Sequence, residues 1–102
     1  MTDYGHEPLF GTFLTPISAQ ADRVIALAQL TDAVGLDLVS VNDHPYQPAY
    51  LDALTLLSVI PATTERVHVL PNVASLPLRP PVVLARSVAS LDILAAGGPS
   101  SV

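Results

Sequence analysis

Three times along the chain a short apolar run is followed by a longer segment with helical spacing. "PLFGTFLTP" (8–16) reads as a buried strand, and "SAQADRVIALAQLTDAV" (18–34) as a helix. Ser18 is the expected N-cap, Ala21, Val24, Ile25, Ala28 and Leu30 form the apolar stripe, and Gly35 closes the C-terminus. "DLVSV" (37–41) is the second strand. "PAYLDALTLLSVIPATT" (48–64) is the second helix, expected from about Ala49 to Ile60 because Pro61 lacks the N–H that would continue it. "ERVHVLPNV" (65–73) and "RPPVVLARSVASLDILAAGG" (79–98) complete the series, the last helix opened by prolines and stopped by Gly97-Gly98. A strand joined to the next through a helix cannot form a hairpin. The alternation therefore implies βαβ units, with parallel strands and helices packed against the sheet.

Composition narrows the partners. Half of the 102 residues are hydrophobic and 13% are charged, which fits one small domain with elements buried on more than one side. Four arginines, no lysine and nine acids give a net charge of -5, the wrong sign for a nucleic-acid or anionic-membrane partner. No cysteine is available for disulfides, thiolate chemistry or metal ligation. His6, His44 and His68 show no short ligand spacing, so no metal is expected. No apolar run approaches the ~20 residues of a membrane span, and a soluble cytoplasmic protein is the expectation. The polar start, MTDYGHE, is expected to fray. There is no linker, low-complexity segment or phosphate-binding glycine loop; residues 1–102 read as one partial domain.

The chemistry-bearing stretch is "SVNDHPYQP" (40–48), where an apolar strand delivers Asp43 and His44 side by side and Pro45 and Pro48 restrict the loop that follows. An imidazole exchanges protons near neutral pH, and a carboxylate orients donors. An Asp capping the loop beside a solvent-facing His is the other reading of the same residues. His68 lies inside the third strand and reads as packing or surface. Arg79, in the "PLR" loop, is either an anion contact or an ordinary loop arginine near a helix start.

"AVGLDLVSVNDH" resembles the helix, glycine, strand, acid–histidine segment of the bacterial-luciferase-like monooxygenase superfamily. "ATTERVHVLPNVASLPLRPPVVLARSVASLDILAAGG" is similar to that family's following block, in which a T-x-R turn, a strand, a P-L-R-x-P loop and a helix ending LD-x-L-(S/A)-G-G succeed one another. The likeness runs from about Leu9 to Gly98. It implies a TIM (β/α)₈ barrel, typically ~250 residues, of which this chain would hold the first (βα)₃ portion with its helices outside. Chemistry in such barrels sits at the carboxyl ends of the strands, which places Asp43, His44 and Thr15 at the mouth.

The resemblance implies coenzyme F420 as cofactor, since members using it often carry D-H followed by Q-P, as in "NDHPYQP". Flavin mononucleotide (FMN), associated more often with E-H-H, is the alternative. By the same resemblance His44 handles protons, Asp43 and His44 contact the cofactor, and Asn72-Val73 takes a non-proline cis peptide that backs the ring. An ordinary trans strand end is the alternative for that peptide. Thr15 and Arg79 are substrate-side candidates.

Two functions follow. One is an oxidoreductase performing hydride transfer or oxygenation on a small organic substrate, with these residues alone expected to bind cofactor poorly or not at all and to be inactive. The other is a truncated, non-catalytic form whose sheet edges pair with a second copy or a complementary fragment. A free-standing three-layer α/β domain with unrelated binding would leave too much apolar surface uncovered.

Overall fold

The computed structural model describes Gly5 and residues 7–94. Three parallel strands form one sheet in the order β1-β2-β3: β1 (Gly11–Leu14), β2 (Leu38–Val41) and β3 (His68–Pro71). They alternate with helices α1 (Ala21–Ala33), α2 (Ala53–Thr63) and α3 (Pro81–Leu94). Single 3-10 turns at Ser18–Gln20 and Leu76–Leu78 precede α1 and α3. The arrangement is the (βα)₃ portion of a TIM-barrel-like fold. The polar start apart from Gly5 and Glu7, and the Gly97-Gly98 stop, lie outside the described residues.

Strand register sorts the side chains into two faces. Leu14, Val41 and Pro71 form one row and Thr12, Val39 and Val69 another. These rows face the helices: Val39 and Val41 are fully buried among Val24, Ala28, Leu57 and Ile60. α1 packs on β1 and β2, while α2 packs on β3 and α1. The Thr12 hydroxyl lies 3.0 Å from that of Thr31 on α1, so this polar pair is satisfied inside the interface. The opposite face carries Gly11, Leu38 and His68 in one row and Phe13, Ser40 and Leu70 in the next. Phe13 is 58% exposed, because no described element covers this face. Gly11 is required by a close approach: a Cβ there would collide with the Leu38 carbonyl oxygen.

Several expected boundaries move, each for a local reason. Ser18 does not cap α1; its hydroxyl donates to the Ala49 carbonyl at 3.1 Å, and α1 begins after an intervening 3-10 turn. Leu30 is exposed, and Thr31 takes the buried position instead because its hydroxyl meets Thr12 and the Leu27 carbonyl. Gly35 closes α1 in a left-handed conformation (φ +90°), with Leu36 N–H donating to Thr31 O and Gly35 N–H to Asp32 O.

α2 starts at Ala53, not Ala49, because residues 49–51 are bonded to the segment after β1: Ser18 N–H donates to Ala49 O and Leu51 N–H to Pro16 O. Asp52 is its N-cap, accepting from Thr55 N–H at 3.0 Å. Nor does Pro61 end α2, which runs to Thr63. In the last turn a proline forfeits a single ladder bond, and the Thr63 and Thr64 hydroxyls donate to the Ile60 carbonyl at 3.0 and 2.8 Å. The strands are shorter than their apolar runs, four residues each.

Candidate functional site

The carboxyl ends of β1, β2 and β3 lie side by side. One register step beyond the paired Leu14, Val41 and Pro71 come Thr15, Asn42 and Asn72. The ladder reaches that step, since Asn72 N–H donates to the Val41 carbonyl at 2.8 Å. Alternation along a strand puts these three residues on the side of Ser40 and Leu70. A cavity of about 270 Å³ lies on that side, lined by Phe13, Ser40, Leu70 and Asn72 among others. Thr15, Asn72 and Val73 are exposed, and the Asn72–Val73 peptide is cis.

Asp43 is the most tightly held polar residue at this end. Its side chain is 1% exposed and lies against the Arg79 guanidinium, Nε to Oδ2 at 2.7 Å and Nη2 to Oδ1 at 2.6 Å. Ser75 N–H donates to Oδ2 at 2.7 Å. The Arg79 hydrogen bonds, with the Ser75 N–H and against the cost of burial, hold the Asp43 carboxyl below the usual range. Arg79 Nη2 also reaches Asp52 Oδ1 at 3.0 Å, and the two carboxylates push the guanidinium pKa further up. One cation thus joins the loop after β2, the N-cap of α2 and the loop after β3.

The Asp43 carboxylate accepts three hydrogen bonds, two from Arg79 and one from Ser75 N–H. The Arg79 guanidinium is shared between Asp43 and Asp52. Each residue acts through the loops it joins.

His44 follows Asp43 and is half-buried. Its ring stacks on Tyr46 (centroids 5.3 Å apart, planes at 16°) and on Tyr50 (6.0 Å, 19°). Its carbonyl accepts from Gln47 N–H at 2.9 Å, closing the Pro45-Tyr46 turn. Tyr50 is in turn bridged to Ile17 beyond β1. The His44 backbone is thus held in a turn, and its ring stacks on two tyrosine rings. The tyrosine contacts, and Asp52 as the second carboxylate on Arg79, went unread in the sequence; the signal for Asp52 was its N-cap spacing to Thr55. His68 opens β3 in register with Leu38, at the amino end of the sheet and away from the carboxyl ends.

Residues 6–98 match the family model described as luciferase-like monooxygenase. The chain belongs to the luciferase-like monooxygenase family. No curated protein matches it. Members of this family generally use flavin or F420. The strand ends fit the ring part of such a group: an open concavity, an imidazole stacked on two tyrosines, and an Asn42 Oδ1 that is buried without a hydrogen-bond partner. They offer little for a phosphate tail. Of the described arginines, Arg79 is engaged and Arg66 donates to the Leu36 carbonyl at 3.1 and 2.8 Å. Arg23 and Arg86 lie on α1 and α3. Among the described residues no group of three His, Asp or Glu could hold a metal ion, and no helix is long and apolar enough to cross a membrane.

Proposed function

We propose that this chain supplies the ring-binding and proton-handling part of an F420-dependent oxidoreductase acting on a small organic substrate, with FMN as the alternative cofactor. The observation that carries the reading is the Asp43–Arg79 clamp, which fixes the residue next to His44 at the carboxyl end of β2. The bound cofactor would supply hydride or oxygen chemistry; the chain supplies binding and orientation. His44 is the catalytic residue, taking up or releasing a proton at an imidazole nitrogen. Stacking on Tyr46 and Tyr50 limits the ring's rotation and so fixes where that nitrogen points. Asp43, Arg79 and Ser75 hold the loop in register. Asn72 and Val73 form the rim against the ring, and Thr15 stands on the substrate side.

The test is a fluorescence titration of the chain with F420 and, separately, with FMN. Saturable, weak binding with F420 ahead of FMN is expected; FMN ahead of F420 selects the alternative, and binding of neither removes the reading. His44→Ala, made in a complete barrel that carries these residues, should leave the dissociation constant within about twofold while lowering turnover about 10²-fold or more, the usual worth of a general acid–base residue. Unchanged turnover would remove His44 from the proton step.

A second reading, association with another chain, is favoured by the exposed apolar residues Phe10, Phe13, Val82 and Leu94. Sedimentation of the purified chain across a concentration series tests it: a concentration-independent monomer would exclude self-association.

A further inference from the structure

Asn42 Oδ1 is buried and has no hydrogen-bond partner, the one such side-chain atom recorded among the described residues. Its neighbours contrast with it. The Ser40 hydroxyl donates to the Thr12 carbonyl at 3.1 Å, Thr12 and Thr31 share a bond, and Asp43 accepts three. A buried carbonyl without a donor costs roughly 1–3 kcal/mol, so such a group in otherwise satisfied surroundings calls for a partner from outside the chain. Its place in the fold suggests which partner. Asn42 precedes the clamped Asp43 and shares its register step with Thr15 and Asn72, at the end of the sheet where β/α barrels bind their ligands. Oδ1 only accepts, so the partner must donate. In their oxidised forms, flavins and deazaflavins share one ring donor, the imide N–H between two carbonyls.

Resting on the function proposed above, we infer that Asn42 is a ring-binding residue whose side-chain carbonyl accepts a hydrogen bond from the imide N–H of the cofactor ring. The acceptor stays unmet in the free chain and is met on binding. Replacing Asn42 by an apolar residue then removes a cost from the free chain and a bond from the complex. The two effects have opposite signs, which separates binding from a structural role.

The probes are lumiflavin, which carries the ring without the tail, and 3-methyllumiflavin, in which the imide N–H is blocked. Affinities come from fluorescence quenching and stability from thermal denaturation of the free chain, on wild type, Asn42→Leu and Asn42→Ala. Wild type should bind lumiflavin about 3- to 10-fold more tightly than its methylated analogue, the worth of one hydrogen bond. Both variants should lose that preference, and Asn42→Leu should melt no lower than wild type. Equal affinity of wild type for the two probes, or a preference kept by both variants, overturns the inference. So does a lower melting temperature of Asn42→Leu with unchanged affinity, which would reveal a bond within the chain. If wild type binds neither lumiflavin, F420 nor FMN, the cofactor reading itself fails, an outcome distinguishable at the first step.

Discussion

Arg79→Met removes the guanidinium from Asp43 while keeping most of the aliphatic stem. The Asp43 side chain, 1% exposed, then retains only the Ser75 N–H and cannot turn to water without opening the loop. Breaking a buried ion pair from one side costs ~3–5 kcal/mol, because the surviving charge stays buried. Arg79 is itself 15% exposed, which argues for the lower end, ~3 kcal/mol. Asp52 adds little, since its side chain is 47% exposed and keeps both Thr55 donors. A loss of this size is a large part of the ~5–15 kcal/mol that holds a domain together.

The sign of the pH dependence follows from the pair. Arg79 lowers the folded-state pKa of Asp43 below its unfolded value of about 3.9. The clamp therefore contributes its full stability above about pH 4 and loses it as pH falls through the folded pKa. Arg79→Met lacks that contribution, so its deficit should shrink in acid. Urea denaturation followed by circular dichroism at pH 7 and pH 3.5, on Arg79→Met, Asp43→Asn and the double variant, gives the comparison. The double variant should be less destabilised than the sum of the single ones, because it leaves no unpaired charge. A loss below about 1 kcal/mol at pH 7, additive single effects, or a deficit that grows in acid would refute the reasoning.

The turn before β3 should respond in the same sense. Asp32 accepts from the N–H groups of Glu65, Arg66 and Val67 at 3.0, 2.9 and 3.1 Å. Burial opposes its charge, but those bonds outweigh it and lower the pKa, so this contribution too is present above about pH 4 and lost in acid. Asp32→Ala should cost ~1–3 kcal/mol at pH 7 by urea denaturation, and a loss within error would show that water replaces the carboxylate without cost. Gly11→Ala should cost ~1–3 kcal/mol, since its Cβ meets backbone at Leu38 O rather than a movable side chain. An unaltered melting temperature would mean that β1 shifts freely.

The fold was legible because parallel βα alternation leaves a plain signature: apolar runs at Val39 and Val69, and Gly35 where a left-handed residue is needed. Boundaries were less so. Ser18 looks like a cap, but cap or tether is decided by whether Ala49, 31 residues on, comes within reach. Pro61 reads as a stop, yet within the last turn of α2 it removes only the one bond its own N–H would have made, to Leu57 O.

At the site, Asp43-His44 stood out by residue type and position. Its wiring did not, because the Asp43–Arg79 contact spans 36 residues and depends on two loops meeting above the sheet. Asn42 is not legible from the sequence. An asparagine beside an acid and a histidine carries no pattern, and only its unmet carbonyl singles it out.

The central claim is that the strand ends around His44 form a surface for a flavin or deazaflavin ring. A ¹H–¹⁵N correlation spectrum of the labelled chain, titrated with F420 and with FMN, tests it residue by residue and detects weak binding. Saturable shifts confined to Asn42, Asp43, His44, Asn72 and Val73 are the predicted result. No saturable shift there, or shifts centred on the groove between α2 and α3 around Ser58 and Ser87, would contradict it.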